Sequence, residues 1–325
     1  MGKVEFKPFI KNSLASVVNG EQMTSRFDPE YGITWAQMHP SGAPCFNQEL
    51  LAELIHYNRS VKNSGGQIFA AGKLNMVRYA VVCSKNPGVF NLGGDIALFS
   101  KLINKRDRQA LTLYATMCVD AMFARINHYS LPLITISLVQ GYALGGGLET
   151  VLSSDVVIAE RSSKMGFPEI LFNMFPGMGA YSLVARKLGI RQAEKMILSG
   201  KIYSAEELYQ LGLVDVLVED GEGEEAVYDY CKKQTRSSSS IGFMAVQRAR
   251  QRYNPITYQE MMDITAIWVD AAMQLGERDL KIMDRLVRSQ QKQYAQGEQM
   301  RPLPAQKPNK AVEPRNAATE QLTAA

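Results

Sequence analysis

The stretch from Gln140 to Glu149 reads QGYALGGGLE, and it carries more information than any other part of the chain. Its three consecutive glycines leave the backbone without side-chain cover, so their N–H groups can approach a ligand closely. If those N–H groups open a helix, they form a site that stabilises developing negative charge. Glu149 then lies just inside the helix, close to the same site.

A second carboxylate, Glu169, follows in the segment GFPEI. Two carboxylates that face one oxyanion site are the groups needed to move protons at a carbon next to a thioester carbonyl. Each acid could instead be a surface carboxylate stabilised by a helix dipole. Apolar neighbours argue against that reading, because a carboxylate among them should have a raised pKa. These neighbours are Leu148, Val151, Phe167, Ile170 and Leu171.

The composition is that of an ordinary globular enzyme. Of the 325 residues, 46% are hydrophobic and 21% are charged, which supplies enough apolar material for a sizeable core. A formal charge of +4 is too small to indicate nucleic-acid binding without a clustered basic face. The cysteines are scattered and form no CxxC pair, so we predict neither a metal site nor a cofactor.

The N-terminus lacks the apolar run of a secretion signal. The longest uncharged apolar run, Leu131 to Val139, is about half as long as a membrane span and is typical of a buried strand. We therefore expect a cytoplasmic protein without a membrane partner.

Strands and helices alternate through the first two thirds of the chain. Asn47 can cap an early helix. The β-rich segment Met76–Ser84 precedes a glycine loop, Phe90–Asp95, in which Asp95 can cap the next helix. The strand–loop–helix order then repeats after Leu133–Val139, which favours parallel units. Apolar stripes between Met261 and Val287 predict two later helices that need a surface to bury against.

The predicted organisation is an N-terminal extension (1–26), a catalytic core (27–220), a helical oligomerisation segment (221–292) and a disordered tail (293–325).

These motifs together resemble the crotonase (enoyl-CoA hydratase/isomerase) superfamily over about residues 30 to 290. The matching segments are FNLGGD (90–95), QGYALGGGLE (140–149), GFPEI (166–170), PGMG (176–179) and SAEEL (204–208) with LGLVD (211–215). The resemblance implies an α/β crotonase (ClpP-like) fold of repeated ββα units with a C-terminal helical segment. It also implies a homotrimer or a hexamer.

The block Pro168–Ser182 is more specific and is similar to the diffusible signal factor synthases of bacteria. Ordinary hydratases carry a Gly-Thr-Gln-Arg-like sequence where this chain has AYSL at 180–183. The resemblance implies an enzyme that dehydrates a 3-hydroxyacyl chain on acyl carrier protein and then hydrolyses the thioester, releasing a cis-2-unsaturated fatty acid. Alternatives are an enoyl-CoA hydratase of fatty acid oxidation and a regulatory binding protein on a crotonase scaffold; a regulatory sensor protein is a further candidate partner.

The resemblance places an oxyanion hole at the backbone N–H groups of Gly94 and Gly146, and an acid–base pair at Glu149 and Glu169. It leaves open which glutamate is the base in each step. Gly145 and Gly147 are interpreted as glycines that permit tight turns and packing. Candidates for an acyl tunnel, with plain core packing as the alternative, are Phe172, Met174, Trp268 and Leu275.

Other polar residues receive secondary interpretations. We expect a structural role for Asp155 and no catalytic role for the isolated residues His39, His56 and His128. A basic group just after the first glycine loop is either a solvated helix face or a docking surface for an acidic carrier protein. It comprises Lys101, Lys105, Arg106 and Arg108.

Overall fold

The computed structural model describes residues 19–236 and 239–295. The strands are β1 (Met23–Asp28), β2 (Ile33–Met38), β3 (Gln67–Ala70), β4 (Lys73–Met76), β5 (Tyr79–Ser84), β6 (Val89–Asn91), β7 (Ile134–Val139), β8 (Tyr142–Leu144), β9 (Val156–Glu160), β10 (Lys164–Gly166), β11 (Ile202–Ser204) and β12 (Val216–Val218). The α-helices are α1 (Gln48–Asn63), α2 (Ile96–Asn104), α3 (Arg108–Ile126), α4 (Gly146–Leu152), α5 (Ala180–Leu188), α6 (Ile190–Ser199), α7 (Ala205–Gln210), α8 (Gly223–Arg236), α9 (Ser239–Tyr253), α10 (Tyr258–Ala272) and α11 (Glu277–Ala295).

Two sheets organise the fold. A six-stranded sheet has the order β1-β2-β5-β7-β9-β12, and a four-stranded sheet has the order β11-β10-β8-β6. Strand pairs β5/β6, β7/β8 and β9/β10 each send their first strand to the large sheet and their second to the small one, and a helix follows each pair. The predicted repeat of two strands and a helix is therefore confirmed.

The large sheet is buried on both faces. In β5, Ala80 and Val82 belong to the main core, whereas Val81 and Cys83 face a second apolar cluster that includes Val227 of α8. Its parallel neighbour β7 is buried at every position. This double burial explains why these strands read as unbroken apolar runs instead of alternating patterns.

Side-chain hydrogen bonds cap the first turns of two helices, α1 and α2, near the first glycine loop. The Asn47 side chain accepts a hydrogen bond from the Leu50 N–H at 2.7 Å, and the Asp95 side chain accepts one from the Leu98 N–H at 2.9 Å. Both caps were predicted, because Asn and Asp oxygens satisfy the first free N–H groups of a helix.

The C-terminal helices fold back onto the same chain. Trp268 of α10 is buried and packs edge-to-face on Phe99 of α2, with ring centroids 5.1 Å apart. Thr265 donates a hydrogen bond to the Gly177 carbonyl at 3.0 Å. The apolar stripe is thus largely buried within one chain. The apolar faces of α2 and α3 already cover it.

Two boundaries also differ from the predicted organisation. Strand β1 begins at Met23, inside the predicted extension, because it completes the edge of the large sheet. Helix α11 reaches Ala295, beyond the predicted start of the tail, and residues 296–325 lie outside the described residues. Within the described part of the chain, no helix is both long and apolar enough to cross a membrane.

Candidate active site

Two glycine loops meet at the centre of the molecule, one between β6 and α2 and the other between β8 and α4. A Cβ placed on Gly146 would lie 3.6 Å from the Gly94 nitrogen, so the two residues are in close contact. Gly146 is the first residue of α4, where a helix leaves its N–H groups free. Neither the Gly94 nor the Gly146 amide donates a hydrogen bond to another described residue. Both amides can therefore serve a ligand oxygen.

Glu149 lies beside these amides on the first turn of α4 and is only 1% exposed. Its Oε1 accepts hydrogen bonds from the N–H groups of Met178 and Ala180, both at 2.9 Å. Burial raises the pKa of Glu149 to about 7, although the two backbone hydrogen bonds oppose the rise. The carboxyl is thus suited to exchange a proton near neutral pH.

Glu169 enters the same space from a short 3-10 turn, Glu169–Phe172. A Cβ on Gly145 would lie 2.2 Å from Glu169 Oε1, so only glycine leaves room for this carboxylate. The φ of +52° at Gly145 is a second reason for glycine there. Burial, and then the neighbouring charge of Glu149, raises the pKa of Glu169 to about 8. Its Oε2 is buried and has no hydrogen-bond partner among the described residues.

Asn91, which the sequence interpretation did not single out, positions the first glycine loop. Its Oδ1 accepts a hydrogen bond from the Gly93 N–H at 2.8 Å. A Cβ on Gly147 would lie 2.2 Å from the Asn91 carbonyl oxygen, so helix α4 packs closely on β6. This contact agrees with the packing role predicted for Gly147. The sequence feature that could have identified this role of Asn91 is its place in the FNLGGD segment.

Two pockets open from Glu149 and share Gly94, Gly146 and Met178. The Trp268 pocket also contains Glu169, Phe172, Gly177 and Leu286. The α1–α3 pocket runs between those helices and is lined by residues including Met38, Leu54, Tyr57, Met122 and Arg125. Of the four predicted tunnel residues, Phe172 and Trp268 line the Trp268 pocket. Met174 and Leu275 are buried in the main core and line neither of these two pockets.

The α1–α3 pocket was missed by the sequence interpretation. Apolar residues recur at helical spacing on both helices, but a stripe that packs against its neighbours and a stripe that lines a cavity have the same period. The space between the helices depends on their separation in the fold.

Another buried carboxylate, Asp155, lies in the short connection between α4 and β9. Asp155 contacts His128 at 2.8 Å, Arg250 at 3.0 Å and the N–H of Thr135 at 3.0 Å. Burial alone would raise the pKa of Asp155, but the interactions with His128 and the hydrogen bonds from Thr135 outweigh it, so the pKa is lowered. The cluster links the turn after α3, strand β7, the loop after α4 and helix α9, as expected for a structural acid. His128, interpreted as isolated, belongs to this cluster.

The basic group after the first loop is partly engaged within the chain. Arg106 donates a hydrogen bond to the Met273 carbonyl, and Arg108 pairs with Asp270 at 2.5 Å. Lys101 and Lys105 are exposed.

Comparison with known proteins agrees with this architecture. The family described as enoyl-CoA hydratase/isomerase matches residues 67–265. The fatty acid oxidation complex subunit alpha of Pseudomonas savastanoi pv. phaseolicola is 31% identical over 179 residues, which are 55% of this chain and 24% of that protein. The chain therefore spans about a quarter of that relative's length.

Solved structures share the fold. The enoyl-CoA hydratase from Bacillus halodurans superimposes with a TM-score of 0.68 at 19% identity, covering 82% of this chain and 99% of that one. DspI of Pseudomonas aeruginosa gives a TM-score of 0.61 at 22% identity, covering 84% of this chain and 100% of that one. The resemblance in the motifs, the repeated ββα units and the family match agree, and the chain belongs to the enoyl-CoA hydratase/isomerase (crotonase) family.

Proposed function

We propose that this chain is a 3-hydroxyacyl thioester dehydratase with thioester hydrolase activity, which makes a cis-2-unsaturated fatty acid signal from 3-hydroxyacyl-acyl carrier protein. The observation that supports it most is the pair of carboxyls, buried Glu149 and half-buried Glu169, beside the free amides of Gly94 and Gly146. Two acids with pKa values near 7 and 8 can be one ionised and one protonated at neutral pH, which elimination of water requires.

Dehydration follows from these four residues. The thioester oxygen accepts hydrogen bonds from the Gly94 and Gly146 amides, which stabilise the enolate formed when the α-proton leaves. One glutamate takes that proton, and the other protonates the 3-hydroxyl as its carbon–oxygen bond breaks. The products are an enoyl thioester and water, and the pair of glutamates ends with its protons exchanged.

Hydrolysis uses the same groups. An ionised glutamate takes a proton from water as the water oxygen attacks the thioester carbon. The two amides hold the tetrahedral oxyanion. The carbon–sulfur bond then breaks, and the carrier thiol leaves with a proton. The product is the free unsaturated acid.

Three features support the more specific part of the proposal, which is that the substrate is bound to acyl carrier protein and that the product is a free cis-2-unsaturated acid. The block Pro168–Ser182 is similar to diffusible signal factor synthases, and its Met178 N–H holds Glu149. Exposed Lys101 and Lys105 follow the first glycine loop and offer positive charge to an acidic carrier protein. Retention of both glutamates favours water chemistry over simple isomerisation and over a purely regulatory binding role.

An enoyl-CoA hydratase of fatty acid oxidation is the second candidate, supported by the 31% identity to the fatty acid oxidation complex subunit. The full-length chain should be incubated with a 3-hydroxyacyl group on acyl carrier protein and, separately, on CoA, and the products identified by mass spectrometry. We expect free cis-2-enoic acid from the carrier-protein substrate. A reversible equilibrium between trans-enoyl-CoA and 3-hydroxyacyl-CoA, without released acid, would contradict the proposal and favour the second candidate.

We also propose a homotrimer or a dimer of trimers, on the basis of the family resemblance alone. Multi-angle light scattering at micromolar concentration should give a mass of three or six chains. A monomer would contradict this proposal without affecting the chemistry above.

A further inference from the structure

The α1–α3 pocket leads away from the glutamates along two parallel helices. At the end near Gly94, the Tyr114 hydroxyl of α3 donates a hydrogen bond to the Phe46 carbonyl just before α1. Further along, Asn58 Nδ2 of α1 donates to the Ala121 carbonyl of α3 at 2.8 Å. Both helices therefore run in the same direction, from the oxyanion loops toward the far end of the pocket.

The length of the pocket follows from the helix rise. Cys118 lines it on α3, as Glu149 does on α4, and Arg125 lines it near the end of α3. Arg125 follows Cys118 by seven positions along α3, a distance of about 10 Å at a rise of 1.5 Å per residue. Apolar side chains of Met38, Leu54 and Met122 lie on its walls. This shape and surface suit an acyl chain whose thioester lies at the glycine amides.

The far end of the pocket is polar. Arg125 is only 5% exposed, and its guanidinium donates to the Tyr129 hydroxyl at 3.2 Å, the Ile136 carbonyl at 3.1 Å and Ser154 Oγ at 2.6 Å. All three partners are neutral, and Arg125 Nε has no acceptor among the described residues. The Tyr57 hydroxyl, paired with Thr34 Oγ1 at 2.9 Å, lies at the same end.

An alkyl chain gains nothing by pressing against such a floor. Burying each added methylene against the apolar walls strengthens binding. A terminal methyl group placed against the guanidinium cannot accept a hydrogen bond from Arg125 Nε, so that N–H group stays without an acceptor. The floor also cannot retreat easily, because three hydrogen bonds hold Arg125. Tyr129, one of its partners, sits in a run of left-handed residues with φ values of 48°, 54° and 60° at His128, Tyr129 and Ser130.

We propose that Arg125, with Tyr57 and Tyr129, forms a polar floor that ends the acyl pocket and sets the length of the acyl chain. Arg125 is then a specificity-determining residue. The inference rests on the proposed function to the extent that an acyl chain occupies the α1–α3 pocket.

Binding of straight-chain saturated fatty acids of increasing length tests the floor without requiring turnover. Calorimetry on the full-length wild-type chain should show affinity rising about fourfold per added methylene and then a break where the chain reaches the floor. Ala121→Leu, which narrows the pocket about one turn before Arg125, should move the break to shorter chains. Arg125→Leu, which lowers the floor and removes its charge, should move it to longer chains. Leu113→Ala, at an exposed position of α3, is the matched control and should leave the break unchanged.

Three outcomes would overturn the inference. The first is a break that stays in place in both folded pocket variants. The second is an ω-hydroxy fatty acid that binds more tightly than its methyl-ended counterpart at the break, because the floor would then recognise an oxygen. If Arg125→Leu does not fold, Tyr57→Phe replaces it and should strengthen the binding of fatty acids that are slightly longer than the break. Unchanged binding of these fatty acids by Tyr57→Phe is the third outcome. A failure of dehydration would be seen separately, in turnover of 3-hydroxyacyl-acyl carrier protein by the wild-type chain.

Discussion

Glu149 lies within the short helix α4 and Asp155 lies three residues after it, and both are buried, yet their surroundings move their pKa values in opposite directions. Glu149 accepts only two backbone hydrogen bonds, and its titratable neighbour is another acid, Glu169. Asp155 is held by His128, Thr135 and the guanidinium of Arg250. Burial removes both carboxyls from water and so favours the protonated form of each. The hydrogen-bond and charge partners then decide whether the carboxyl is protonated or ionised.

The difference separates a reactive acid from a structural one. A carboxyl that is buried without a cation keeps a proton near neutrality and can pass it to a substrate. A carboxylate surrounded by cationic and hydroxyl donors stays ionised and ties helices together. The pKa direction therefore distinguishes the two clusters more clearly than burial does.

The largest effect is expected from replacing the reactive acids. Glu149→Gln or Glu169→Gln keeps the shape but removes proton transfer, so dehydration should fall by about 10²–10⁴-fold. The double variant should lose far less than the product of the two, because the acids act as one unit. Release of free acid should fall as well. Turnover of 3-hydroxyacyl-acyl carrier protein, with both products counted, measures this; normal dehydration by a folded single variant would show that the site is misplaced.

Asp155→Asn should affect stability instead of chemistry. It weakens hydrogen bonds to a buried charge and should lower the free energy of unfolding by about 3 kcal/mol. Arg250→Gln is the matched control; its side chain is 56% exposed, so the loss should stay within about 1 kcal/mol. Urea unfolding gives both values. A large loss of turnover per folded molecule in Asp155→Asn would mean that the two clusters are not separate in function.

The contributions of Glu149 and Asp155 to the free energy of unfolding should depend on pH with opposite signs. Glu149 has a folded pKa of about 7 against an ordinary value of 4.5, so the folded chain keeps a proton that the unfolded chain has released. The free energy of unfolding should therefore fall as pH rises from about 4.5 to 8, by on the order of 3 kcal/mol from Glu149. Glu169, at about 8, adds to the same fall.

Asp155 has a lowered pKa, so its contribution is present above its ordinary value of 3.8 and is lost as the pH falls through its folded pKa. Unfolding of the wild type, Glu149→Gln and Asp155→Asn across this range checks both signs. Glu149→Gln should flatten the neutral side of the curve, and Asp155→Asn should flatten the acid side. The reverse assignment would contradict the comparison.

The smallest effect is expected from removing residues 296–325. Among the described residues, the partners of Glu149 and Asp155 lie between residues 128 and 250, and the composition of the tail cannot supply a core. Turnover and unfolding free energy should match those of the full chain within error. A loss of either would show that one cluster depends on the tail.

The local signals were read correctly from the sequence. The caps at Asn47 and Asp95, the unbroken β5 and β7 runs and the glycine loops are each set by neighbours a few residues away. The pairing of Gly94 with Gly146 was available only through the family resemblance, since no local rule joins two loops that are about fifty residues apart. The sequence showed that the α10 stripe needs a surface to bury against, and the tertiary structure supplied that surface, because a stripe shows that a helix needs a partner but not which surface provides it.

By itself the sequence determined the repeat of strands and helices, the two glycine loops and the two glutamates, because periodicity, capping and backbone freedom act over short range. Only the tertiary structure decided that Glu149 lacks a cation while Asp155 has two basic neighbours, that Glu169 needs the space over Gly145, and that Arg125 closes the α1–α3 pocket. Each of these depends on distances between residues from different elements, and packing sets those distances.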